Sequence, residues 1–222
     1  MKGRKQIMNI KLNLNLFLFL LLFFITNQID IYALVMIFAL IHELAHLICG
    51  VLLGFSPETL KIMAFGFSIE FNTNIQDYNK KIMKSNILAV KKILVALAGP
   101  LINLFIIICG TLLNIDNYII YANFLIFIFN LIPIYPLDGG RILKHILKIL
   151  IGNKKANIYT NSVSNIFMII LTVIASIFIM KYKNIAIFII VVVLWIMLLK
   201  ENKKYNTYNK IYKVIDKNYN YL

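Results

Sequence analysis

The stretch FALIHELAHLICG, residues 38–50, sets His42, Glu43 and His46 inside an otherwise apolar run. A charged side chain at the centre of a membrane span costs roughly 2.5–3.5 kcal/mol on insertion scales, so such groups persist where they face an interior cavity and serve a purpose. On a helix, positions i and i+4 share a face. His42 and His46 therefore offer two imidazoles to one ion, and Glu43, one position along, stands slightly aside where it can hold a water on that ion. Two ligands and a general base on one helical turn form the zincin arrangement, which points to zinc and to hydrolysis. The plainer reading, two histidines hydrogen-bonded to neighbouring helices, gives no reason for Glu43. Cys49 falls on the same face, seven residues after His42, and reads either as a further ligand or as a packed thiol.

Working outward, the 222 residues are 61% hydrophobic, well above the 45–50% or so of soluble domains. That composition predicts an integral membrane protein whose length is mostly spans. Six apolar runs stand out, roughly 12–29, 31–53, 93–113, 118–136, 164–180 and 184–199. The first lacks a small-residue cleavage site and reads as a retained anchor. Cys49 and Cys109 both lie in apolar runs and read as small buried hydrophobes rather than a disulfide pair. The net charge of +14 is of the sign that nucleic-acid binders carry, but its distribution argues for orientation in a bilayer. Lysines and arginines outside the runs number, in order, 4, 0, 6, 0, 5, 2 and 6. High and low values alternate, so the positive-inside rule places both termini and the two long loops in the cytoplasm. The second run then travels inward, and His42–His46 falls past mid-membrane on the cytoplasmic side.

A catalytic zinc commonly takes three protein ligands and leaves one position open. Besides Glu43, the acidic residue at matching depth is Asp138, in FNLIPIYPLDGGR, residues 129–141. This segment closes the fourth run on the same side as His46. Pro133 and Pro136 forbid a regular helix there, and the paired glycines after Asp138 permit a sharp turn. Irregular backbone at membrane depth is tolerated where protein buries it or water reaches it. The competing reading is a simple end of span, with Asp138 capping the next helix. His145 lies in RILKHILKIL, an amphipathic stretch, and reads as a solvated or headgroup-facing side chain.

HELAH on the second run, ALAGPLINL (residues 96–104) on the third and FNLIPIYPLDGGR closing the fourth together resemble the site-2 proteases, intramembrane zinc metalloproteases. Within that family the pattern is most similar to the stage IV sporulation protein FB group, over roughly residues 31–150. The resemblance implies zinc, one ion per chain, held by His42, His46 and Asp138, with Glu43 as general base. It implies that Asn130 contacts substrate or the oxyanion, and that small Gly99 and Pro100 let spans pack closely. It also implies a membrane-associated protein substrate, in that group a sporulation transcription-factor precursor, and inhibitory membrane partners. One departure is Pro-Leu-Asp-Gly where the family's usual form is Asn-Pro-Asp-Gly. Another is the segment after the last run, which is too short for the nucleotide-binding CBS domain usual in that group.

ETLKIMAFGFSIEFN, residues 58–72, is too short for a span. Its alternation of apolar side chains around Gly66 reads as a bent strand or hairpin at the inner face. A substrate span must unwind before its peptide bonds can be hydrolysed, and a strand edge would hold the unwound segment by β-augmentation; an interfacial loop without a role is the alternative. The expected architecture is an all-α multi-pass membrane protein of six transmembrane helices with a short membrane-associated hairpin after the second. A protease domain over 1–200 would be followed by a basic cytoplasmic tail, 201–222. Rival readings are a zinc-dependent membrane hydrolase of another type, and a non-enzymatic metal transporter or regulatory relative.

Overall fold

The computed structural model describes residues 9–12, 24, 29–63, 66–72, 82–182 and 186–219. The chain forms two compact units, Met1–Leu131 and Ile132–Leu222. Most of the first apolar run, 12–29, lies outside the described residues.

The first unit holds β1 (Asn9–Leu12), α1 (Ile29–Leu52), β2 (Ser56–Met63), β3 (Gly66–Asn72), α2 (Ile82–Leu112) and α3 (Asn117–Leu131). α1 ends in a Schellman turn. Phe55 N–H donates to the Gly50 carbonyl at 2.9 Å and Gly54 N–H to Val51 at 3.0 Å, with Gly54 at φ 86° in the left-handed region such turns need. Lys91 on α2 adds a bond from Nζ to the Leu53 carbonyl, 2.8 Å. β2 and β3 form the expected hairpin, antiparallel with Met63 opposite Gly66, and a register shift between Pro57 and Thr59 follows from the donor that Pro57 lacks. The sheet has a third strand that the sequence reading did not foresee. β1 runs parallel to β2, Asn9 opposite Thr59 and Leu12 opposite Ile62, giving the order β1-β2-β3. Phe55 and Phe71, with ring centroids 5.9 Å apart, pack the hairpin near the end of α1.

The second unit holds α4 (Asp138–Ile151), α5 (Asn153–Tyr182) and α6 (Ala186–Tyr219). α4 packs on α5, and α5 on α6. Trp195 Nε1 donates to Thr172 Oγ1 at 3.0 Å and Asn202 to Asn165 at 3.2 Å across the α5–α6 contact.

Among the described residues, three helices are long and apolar enough to cross a bilayer: Ile29–Leu52, Ser85–Leu112 and Asn153–Lys181. Their outer faces carry large apolar side chains, such as Ile48, Phe105 and Ile169, more than half exposed. Water would disfavour that surface and lipid tails accept it, so these are the features of a membrane protein. The fourth run yields a shorter helix than its length suggested. α3 stops at Leu131, because the residue before Pro133 is pushed out of helical geometry and the proline itself cannot donate. The sixth run is the first part of α6, which continues as helix through the basic tail to Tyr219.

Candidate metal centre

In the first unit, His42 and His46 sit one turn apart on α1, each 3% exposed. Their protonation follows from a chain of bonds that begins at a backbone carbonyl. Asn123 Nδ2 on α3 donates to the Ile119 carbonyl at 2.9 Å, which can only accept. That fixes the amide, so Asn123 presents Oδ1 to Asn103 on α2, and Asn103 Nδ2 donates to it at 2.8 Å. Asn103 must then present its own Oδ1 to His42, whose Nδ1 donates to it. His46 Nδ1 donates to the Val95 carbonyl at 2.6 Å. Val95 O is one residue before the carbonyl that Pro100 cannot bond in this helix. With both Nδ1 atoms acting as donors, each neutral ring carries its lone pair on Nε2.

The two Nε2 atoms lie 3.1 Å apart, with the rings nearly perpendicular at 88°. Acceptor facing acceptor at that distance is unfavourable unless a proton or a cation is shared. Two nitrogens bound to one zinc at 2.0–2.1 Å stand about 3.3 Å apart at the tetrahedral angle. The pair therefore fits such an ion, and the carbonyl and amide partners behind each ring are the supports that metal-binding histidines ordinarily have. Gly99 lies against the same point. A Cβ there would stand 2.5 Å from Nε2 of both His42 and His46. The role expected for Gly99 was close packing of spans; its position is more specific, since its missing side chain clears the ground at the imidazole tips.

Glu43, next to His42 on α1, is half-buried. Asn130, in the last turn of α3, is half-buried and donates Nδ2 to the Ile126 carbonyl at 3.1 Å. Its second N–H and its Oδ1 are the groups it can offer elsewhere. Cys49 is a half-buried free thiol, and among the described residues it belongs to no group of side chains able to share an ion.

In the second unit, Asp138 is the first residue of α4 and 3% exposed. Leu137, not Asp138, occupies the cap position, and no side chain caps the helix; the carboxylate instead lies in the first turn, where the helix dipole favours negative charge. Arg141 Nη1 stands 3.5 Å from Asp138 Oδ1. The turn before it is held rigidly. Ser164 Oγ on α5, fully buried, accepts from Tyr135 N–H at 2.9 Å and donates to the Pro133 carbonyl at 3.4 Å. Gly140 makes the turn possible, because a Cβ there would meet Tyr135 N at 2.4 Å and the Ile134 carbonyl carbon at 2.5 Å. His145 is half-buried, with Nδ1 sealed from solvent, rather than a fully solvated side chain.

Sequence reasoning missed Asn103 and Asn123, both fully buried. The signal was present. Each is an amide set in an apolar run, and Asn103 follows Gly99 by four residues, on the same helix face.

Three comparisons with known proteins bear on the chain. The model of Peptidase family M50 matches residues 109–174, a window that contains Asn130 and Asp138 but not His42 or His46. No curated protein matches the chain in sequence. A solved structure, the Site-2 Protease from Methanocaldococcus jannaschii, is similar with a TM-score of 0.64 and 21% identity, covering 90% of this chain and 93% of that one. The chain therefore has the fold of that protease, and a stretch from α2 to α5 carries the sequence pattern of the M50 peptidases.

Proposed function

We propose that the chain is an intramembrane zinc metalloprotease of the site-2 type, with His42, His46 and Asp138 as ligands of one zinc and Glu43 as general base. The observation that carries this reading is the pair of Nε2 lone pairs meeting 3.1 Å apart over a glycine that leaves room for an ion. The M50 match supports it independently, because it rests on residues other than the histidine box. His42, His46 and Asp138 are three buried donors of a kind able to hold a metal ion, and two imidazoles with a carboxylate are a donor set that catalytic zinc takes.

Zinc in such a site supplies Lewis acidity toward the scissile carbonyl and lowers the pKa of a water beside it. Glu43 takes the proton from the attacking water and passes it to the leaving amine. The Nδ1 bonds to Asn103 and Val95 hold both imidazoles in the tautomer that leaves Nε2 as the ligand atom. Asn130 contacts the substrate or the oxyanion. β1 and β3 are the edge strands of the sheet, and the outer edge of the β3 strand of the hairpin takes an unwound substrate segment as an added strand. Six spans, both termini in the cytoplasm, a multi-pass place in the cell membrane and a cut near the cytoplasmic face complete the reading. A sporulation precursor as substrate and inhibitory membrane partners follow from the resemblance to the stage IV sporulation protein FB group. The test is co-expression with single-span membrane proteins, comparing wild type with Glu43→Gln: an uncleaved substrate in the variant and a cleaved one in wild type is the expected result, and equal cleavage overturns the proposal.

A further inference from the structure

The second unit contains a polar cleft that the proposed chemistry does not use. It opens between α4, α5 and α6, with a volume of about 80 Å³, enough for several waters or one small ion. One wall is a stripe on α5, Asn157, Thr160 and Asn161, at helical spacing. Thr160 is 3% exposed, and among the described residues its Oγ1 has no hydrogen-bond partner, nor does Oδ1 of Asn157. A hydroxyl in a helix ordinarily bonds back to the carbonyl four residues earlier, so a buried Thr160 Oγ1 without that bond is a group waiting for a ligand or water. Either end of the Asn157 amide can face the cleft after a half-turn of the side chain.

The opposite walls carry charge. Lys144 on α4 places its ammonium 4.4 Å from the centroid of the Tyr135 ring. Lys204 on α6 lies 2.7 Å from Glu201, so the cleft has two ammonium groups and one carboxylate. Burial pushes the Lys144 ammonium below its usual range; Glu201 partly restores it, and Lys204 and Lys148 lower it further. An anion here would relieve that deficit.

We propose that this cleft binds a phosphate group, held by the Lys144 and Lys204 ammoniums and hydrogen-bonded by Thr160 Oγ1 and the amides of Asn157 and Asn161. A tetrahedral oxyanion accepts from several directions at once, and the donors here come from three helices; lysine ammoniums are ordinary phosphate partners. The group is either inorganic phosphate or the headgroup phosphate of an anionic lipid, and the same contacts serve both.

The experiment uses the full chain in nanodiscs and reads the midpoint of thermal unfolding. In one arm, inorganic phosphate is added to phosphatidylcholine nanodiscs against potassium chloride at equal ionic strength. In the other, phosphatidylglycerol replaces part of the phosphatidylcholine with no phosphate present. Wild type rises by roughly 3–6 °C at tenfold excess over the dissociation constant, in the arm that supplies the natural source. Lys144→Gln and Thr160→Val lose the rise, while Thr160→Ser, which keeps the hydroxyl, retains it and shows that the loss is not misfolding. No rise in either arm, or an undiminished rise in both Lys144→Gln and Thr160→Val, overturns the proposal.

Discussion

His42 and His46 meet at their Nε2 atoms, 3.1 Å apart, and each is turned there by a bond at its other nitrogen. The positions of the two rings are set by α1, but the proton on each is set by α2 and α3. Metal binding at this pair should therefore respond to changes in helices that carry no ligand.

The ligands themselves come first. Purified protein is expected to hold one zinc per chain, and His46→Ala and Asp138→Ala are expected to lose it. Asp138→Asn, which keeps the size of the side chain and removes the charge, separates ligand loss from damage to the start of α4. Metal analysis after detergent purification checks this; stoichiometric zinc retained at wild-type affinity in His46→Ala or Asp138→Ala would remove the proposed site.

The asparagine chain makes a sharper claim. Asn123→Leu removes the acceptor of Asn103 Nδ2 and leaves a buried donor without its bond, a cost of about 1–3 kcal/mol. The Asn103 amide is then able to rotate and offer N–H to His42 Nδ1, which moves the ring proton to Nε2 and blocks the ligand atom. Zinc affinity is expected to fall about 10–100-fold, the usual effect of losing a group behind a metal-binding histidine. Competition with a chelator measures it, and unchanged affinity in Asn123→Leu would show that the relay does not set the tautomer.

Much of this centre was legible in the sequence because ionisable groups in an apolar run are expensive and conspicuous. HELAH and the Pro-Leu-Asp-Gly turn declared themselves that way, and the alternation over 58–72 showed the hairpin. Asn103 and Asn123 were passed over because a neutral amide in a span costs less than a charge and has a bland explanation in helix packing. β1 was hidden for a different reason. Four residues, Asn9–Leu12, become a strand by pairing with β2 some fifty residues away, and a long-range parallel pairing leaves little local trace. The role of Gly99 was half visible: its smallness was read correctly, but only the fold reveals that the imidazoles are what fill the space.

Gly99→Ala tests that last point with a single methyl. The added carbon would lie 2.5 Å from both Nε2 atoms, far inside contact distance, while alanine favours the helix by up to about 1 kcal/mol over glycine. The variant is expected to remain helical by circular dichroism and to lose most of its zinc. A variant that keeps full zinc occupancy would mean that α1 and α2 shift apart readily and that Gly99 is ordinary packing.

Glu43→Gln separates a protease from a protein that merely holds metal. Glutamine keeps the size of the side chain and loses its basicity, and both histidines, Asp138 and the asparagine chain are left intact. Zinc content and thermal stability should therefore stay near wild type. A transporter or regulatory relative would notice little, because Glu43 is not among the proposed ligands. In a protease, the proton of the attacking water has lost its acceptor, and removing a general base typically lowers the rate about 10²–10⁴-fold. The expected outcome is a zinc-loaded variant that accumulates uncleaved membrane substrate, with the wild-type cut mapped by mass spectrometry to the cytoplasmic end of the substrate's span. Cleavage by Glu43→Gln at the wild-type rate would mean that the glutamate lies in this apolar helix for a reason other than catalysis, and the hydrolytic reading of HELAH would fall with it.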